Sequence, residues 1–66
     1  MQISINGKPE TIDASTVSDV LKVKEIDPQL VAVELNTEVI EREHMTTTTV
    51  KDGDKLEFLF FMGGGQ

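Results

Sequence analysis

"MQISINGKPETI", residues 1–12, alternates apolar and polar side chains on either side of an Asn-Gly pair. Met1, Ile3 and Ile5 face one way and Gln2 and Ser4 the other, the period of a half-buried strand. Asn6-Gly7 is the pair that tolerates positive φ in a two-residue hairpin turn, so "KPETI" returns as the second strand. That register sets Ile12 opposite Met1 on the buried face. It also sets Glu10 opposite Ile3, a carboxylate facing an apolar position, which leaves a bulge or a longer loop open.

Downstream, "DASTVSDVLKVKEID" (13–27) changes period. Val17, Val20 and Leu21 recur at i, i+3 and i+4, one apolar stripe of a helix. Ser15 or Thr16 is placed to accept the first free backbone N–H groups, and Asp19 sits in the first turn, where the helix dipole favours an anion. Lys22 and Lys24 lie toward the other end. Asp27-Pro28 is expected to end the helix, because the residue before proline is pushed out of the α region.

"LVAVELN" (30–36) is a strand with Val31, Val33 and Leu35 on one face and the apolar Leu30 and Ala32 on the other, which places it inside a sheet. "NTE" turns the chain into a short strand at Val39-Ile40, "EREHM" is compatible with one helical turn, and the β-branched, polar threonines 46–49 are compatible with an extended surface connection but are otherwise uninformative. After the Asp52-Gly53 turn, "KLEFLFFM" (55–62) is the last strand. Leu56, Phe58, Phe60 and Met62 form its core face. Lys55, Glu57, Leu59 and Phe61 form the other, charged at its start and apolar at its end.

Hairpin, helix, strand, short strand, strand is an α+β order in which one helix covers one face of a mixed sheet. The first and last strands are the most regular, and they can lie centrally as parallel neighbours because a helix crossover separates them. This is the outline of a β-grasp, the ubiquitin-like architecture. The expected division is a β-grasp domain over 1–62 and a flexible C-terminal tail over 63–66.

The composition excludes several classes of function. With no cysteine in 66 residues, disulfides and thiolate metal sites are ruled out. Twelve acids against six scattered bases, net charge −6, offer no patch for a phosphate backbone. An acidic surface suits a partner with a basic docking face. No apolar run approaches the roughly 20 residues that span a bilayer, and no signal peptide is visible, so a soluble cytoplasmic domain without membrane or nucleic-acid partners is expected. His44 has no cysteine partner and reads as solvent-facing. Glu41 and Glu43 flank Arg42 in a solvated charge run, and Asp52 and Asp54 bracket Gly53 as turn residues. No catalytic constellation, metal site or bound cofactor is expected.

The tail remains. "GGGQ" follows the last strand without a spacer, and Leu59 and Phe61 leave an apolar patch beside it, a candidate docking surface. A C-terminal carboxylate is a poor electrophile until one oxygen becomes a leaving group, as in an acyl-adenylate. Glycines, lacking Cβ, allow the backbone close to a partner's nucleotide.

Taken together, the opening "MQISING", "TV" before "SDVLK", "VAVELN", "VIERE", "VKDGDKLEF" and the glycine tail resemble the ThiS/MoaD family of sulfur carrier proteins, its ThiS branch in particular. The resemblance covers the whole chain. It implies a β-grasp fold and a terminal glycine that is adenylated by an E1-like, ATP-using enzyme (ThiF/MoeB-like) and converted to a thiocarboxylate. That group donates sulfur to an acceptor, the thiazole synthase ThiG for thiamin, or a sulfhydrylase in cysteine or methionine synthesis. Gly65, the eleventh residue after the DGD turn, falls where family tails end and is the implied acyl carrier, with Gly64 beside it and Gly63 at a variable position. Gln66 departs from the simple pattern and implies a precursor trimmed by a JAMM-type protease. The free protein is expected to be a monomer and not an enzyme. Two other readings stay open: a ubiquitin-like modifier conjugated through Gly65, and an interaction domain with an inert tail.

Overall fold

The computed structural model describes residues 1–61. Met62, Gly63, Gly64, Gly65 and Gln66, and with them the expected core role of Met62 and the 63–66 tail, lie outside the described residues. The hairpin forms as the alternation predicts: β1 (Gln2–Ile5) and β2 (Lys8–Thr11) pair antiparallel, with Ile3 opposite Glu10 and Ile5 opposite Lys8. No bulge or longer loop is needed. Asn6 (φ 50°) and Gly7 (φ 83°) both take positive φ, as a type I′ turn requires. The carboxylate opposite Ile3 is accommodated at the sheet margin, where Glu10 receives the Lys24 ammonium at 2.7 Å.

Helix α1 runs Val17–Val23, with Thr16 as N-cap. Thr16 Oγ1 accepts from the Asp19 N–H, and Asp19 Oδ2 accepts from the N–H groups of Thr16 and Ser15, each at 3.2 Å. This is a capping box. The helix ends at Val23 rather than at Asp27-Pro28. Glu25 takes φ 59°, the Glu25 N–H bonds Lys22 O, and the Ile26 N–H bonds Leu21 O, the paired closure of a Schellman motif. Glutamate there replaces the usual glycine, which is why the sequence hid the stop. Asp27-Pro28 instead opens a 3₁₀ turn, Pro28–Leu30, with the Asp27 carboxylate accepting from the Gln29 N–H.

β3 (Val31–Leu35), β4 (Glu38–Ile40) and β5 (Lys55–Phe60) complete a five-stranded sheet in the order β2-β1-β5-β3-β4. β1 and β5 are parallel neighbours, and β5 pairs antiparallel with β3. This is the β-grasp arrangement. Val17, Val20 and Leu21 of α1 join Ile3, Ile5, Val31, Val33, Leu56 and Phe58 in one buried cluster, closed by Ile12, Met45 and Val50.

The segment after the 3₁₀ turn Arg42–His44 does more than connect. The Val17 N–H donates to Thr48 O, the Ser18 N–H to Met45 O, and the Val50 N–H to Ser15 O, while Thr16 and Thr49 form an antiparallel bridge. The first amides of a helix lack intrahelical acceptors, and here Met45 and Thr48 supply two of them. At the opposite end of the sheet from the exit of β5, Asp52 Oδ1 accepts from the Gln2 N–H and Asp54 Oδ2 from the Lys51 N–H, both at 2.7 Å. Asp54 Oδ1 also takes the Asn36 amide at 3.0 Å. Both carboxylates are structural, consistent with turn chemistry.

Candidate docking face at the end of the last strand

β5 is built from an alternation whose two faces meet different surroundings. Leu56 and Phe58 face α1 and are buried. Phe60, next on the same face, is 52% exposed, which corrects its expected place in the core. The reason is geometric. β1 pairs β5 at Lys55 and Leu56 and then turns away at Asn6, and α1 is a seven-residue helix, so Phe60 extends beyond both. It keeps only β3 beside it, opposite Val31.

On the outer face, Leu59 stands opposite Ala32, and Val39 of β4 pairs with Glu34 on the far side of β3. Leu59 is 71% exposed, Val39 64% and Phe61 52%. These side chains form one surface. Ala32, Val39 and Leu59 line one shallow depression. Ala32, Val39 and Phe61 line the adjoining one together with Arg42 and Glu43. Phe61 is anchored just past the strand by its N–H to Leu30 O at 3.0 Å, and Leu30 is itself exposed.

Leu59 and Phe61, singled out from sequence, are therefore brought together on an open apolar strip. Sequence reasoning did not attach Val39 and Ala32 to it. The signal lay in the "LVAVEL" alternation, which puts Ala32 on the outer face, but only the β3–β5 register sets it beside Leu59. Gly63, Gly64, Gly65 and Gln66 follow in sequence and lie outside the described residues.

Other candidate chemistry is sparse. His44 is exposed, with Glu43 Oε2 3.9 Å from its Nε2. Among the described residues no group of three or more His, Cys, Asp or Glu side chains is arranged to hold a metal ion. No helix among them is long and apolar enough to cross a membrane. Asp19 has its pKa lowered, first by the Ser15 and Thr16 backbone N–H groups, but it serves the helix cap.

The model of the ThiS family matches residues 3–65. The chain is 32% identical over 65 residues to the sulfur carrier protein ThiS of Bacillus subtilis, covering 96% of this chain and 98% of that protein. It is also 41% identical over 66 residues to a thiazole synthase of Paramagnetospirillum magneticum, covering 98% of this chain and 20% of that protein. The chain thus spans about a fifth of the thiazole synthases it matches, a second being that of Magnetococcus marinus. Among solved structures, the thiamine biosynthesis protein ThiS of Geobacter metallireducens superposes with a TM-score of 0.84 at 49% identity, covering 98% of this chain and all of that one.

Proposed function

The chain belongs to the ThiS family, and on that premise we propose that it is a sulfur carrier protein of thiamine biosynthesis rather than a catalyst. Gly65 is the acyl carrier. An E1-like enzyme, ThiF- or MoeB-like, spends ATP to join the Gly65 carboxylate to AMP, releasing pyrophosphate. A sulfur nucleophile then displaces AMP to leave a thiocarboxylate, and Gly63 and Gly64 keep the approach free of side chains. ATP is the partner's substrate, so this chain holds no cofactor. The acceptor is a thiazole synthase. Two thiazole synthases carry a region similar to nearly this whole chain, which supports that choice over a sulfhydrylase.

One observation carries the reading: the exposed Leu59–Phe61 strip at the end of β5. Gly65 follows Phe61 by four residues, a reach of at most about 14 Å. An enzyme that holds Gly65 in its site must therefore bring its own surface over this strip. Whatever follows Gly65, Gln66 included, must be removed before that carboxylate is free, which assigns a trimming step to a JAMM-type protease.

Reconstitution tests the reading. Chain ending at Gly65 and chain ending at Gln66 are each incubated with the cognate adenylating enzyme, ATP and a sulfur donor, then weighed intact. The expected result is the mass gain of one oxygen-to-sulfur exchange on the Gly65 form alone. Failure of the Gly65 form to become adenylated sinks the carrier reading. Higher-mass adducts to other proteins in the host would make the chain a modifier instead.

A further inference from the structure

Beside the apolar strip, the fold sets two glutamates against each other. Glu34 and Glu57 are direct cross-strand partners in the β3–β5 ladder, which puts their Cβ atoms roughly 4.5–5.5 Å apart. Both are exposed on the outer face. Among the described residues the ion pairs are Lys24 with Glu10 and His44 with Glu43. Neither Glu34 nor Glu57 has a cation, even though Lys55 lies on the same face of β5. Like charges directly opposite each other disfavour the ladder, so the pair works against the fold that holds it.

Its position suggests what it is for. Glu34 and Glu57 line the same depression as Ala32, Val39 and Leu59. A partner that covers Leu59 and Val39 also covers both carboxylates. Desolvating two unpaired like charges opposes docking strongly unless the partner brings a cation between them. A guanidinium suits this best, because its planar fork donates toward two carboxylates at once while its face and stem rest on apolar neighbours. The chain's net charge of −6 favours the same encounter at longer range.

We propose that the Glu34–Glu57 pair receives an arginine side chain of the enzyme that activates the C-terminal carboxylate, with Leu59 and Val39 framing it. This rests on the carrier reading above. The pair is a specificity device: it is unfavourable in the free chain and favourable in the complex.

The test uses the full chain and its cognate adenylating enzyme, comparing wild type with Glu34→Gln/Glu57→Gln and with Glu57→Lys. The double glutamine variant should bind roughly tenfold more weakly at low ionic strength, with a flatter dependence on salt. Its urea midpoint should equal or exceed that of wild type. Glu57→Lys, which sets an ammonium opposite Glu34, should raise the midpoint and weaken binding further. Equal binding of wild type and the double variant, with the same salt dependence, overturns the proposal and leaves the carrier reading standing. A loss of fold stability in both variants also overturns it, since the pair would then be structural. If wild type itself is neither bound nor adenylated, the carrier reading falls and the proposal with it.

Discussion

The side-chain amide of Asn6 forms both halves of a strand pairing with Phe58: its Oδ1 accepts from the Phe58 N–H at 2.7 Å, and its Nδ2 donates to the Phe58 carbonyl at 3.3 Å. β1 stops pairing at Ile5, and a turn residue takes over the ladder for one more step. The Asn-Gly turn therefore closes a hairpin and also fixes β5 just before its exposed end. Asn6→Asp keeps the tolerance for positive φ and the acceptor, but it loses the donor and sets a carboxylate against a carbonyl. It should cost about 1–3 kcal/mol in chemical denaturation. Asn6→Gly removes both bonds, and the Phe58 amide should then exchange with solvent markedly faster. Unchanged exchange in Asn6→Gly would mean the clamp does not form.

The second hairpin turn carries strain that the first avoids. Asn36 (φ 51°) and Thr37 (φ 76°) repeat the pattern of Asn6 and Gly7, but a β-branched residue occupies the position that glycine fills in the first. Left-handed backbone costs an ordinary residue on the order of 1–2 kcal/mol, more than the entropy glycine adds to the unfolded chain. Thr37→Gly should therefore stabilise the protein by about 0.5–1 kcal/mol, read as a higher urea midpoint. A lower midpoint would show that the Thr37 side chain makes a compensating contact.

Acid should act on the helix cap. The Asp19 carboxylate, held by the N–H groups of Ser15 and Thr16, has its pKa lowered from 3.8. The folded state therefore takes up this proton less readily than the unfolded chain. The contribution is fully present above pH 3.8 and is lost as pH falls through that value and then through the lower folded one. Asp19→Asn should be less stable than wild type near neutrality, and the gap should shrink as urea midpoints are followed downward below pH 4. A gap that stays constant across that range excludes the linkage.

Phe58 and Phe60 sit two residues apart on one face of β5, yet they should respond very differently. Phe58, 6% exposed, faces the core beneath α1, and Phe58→Ala should cost about 3–5 kcal/mol. Phe60, with neither helix nor β1 over it, should cost no more than about 1 kcal/mol on truncation, in the range of ordinary substitutions. Equal losses would mean that Phe60 is covered after all.

That contrast marks the limit of what the sequence discloses. Alternation assigned Phe60 its face correctly, and the same pattern placed Ile3, Ile5, Leu56 and Phe58 in the core, but alternation does not say how far the covering helix extends. α1 was legible in Val17, Val20 and Leu21, yet its end was not, because Glu25 closes it in a conformation normally announced by glycine. The threonines 46–49 looked uninformative because their partners, Ser15 to Ser18, lie about thirty residues earlier, and local pattern carries no such pairing. Leu59 and Phe61 were readable as an apolar end to a strand. The wider strip and the Glu34–Glu57 pair exist only through the β3–β5 register.

Leu59 and Phe61 should separate docking from folding. Both are more than half exposed, so replacing either with aspartate removes little buried area and should change stability by no more than about 0.5 kcal/mol. An apolar contact at the centre of an interface contributes far more. Aspartate at either position, placed where the partner's surface must close, should weaken binding to the adenylating enzyme by about 1–3 kcal/mol, a factor of roughly 5 to 150. Phe61→Asp should have the larger effect on adenylation, because Phe61 stands nearer Gly65 in sequence, and its backbone bond to Leu30 O is kept in the variant. Titration calorimetry and urea unfolding on the same variants distinguish the outcomes. Loss of binding with the midpoint retained identifies a docking strip, whereas parallel loss of both would return Leu59 and Phe61 to the core.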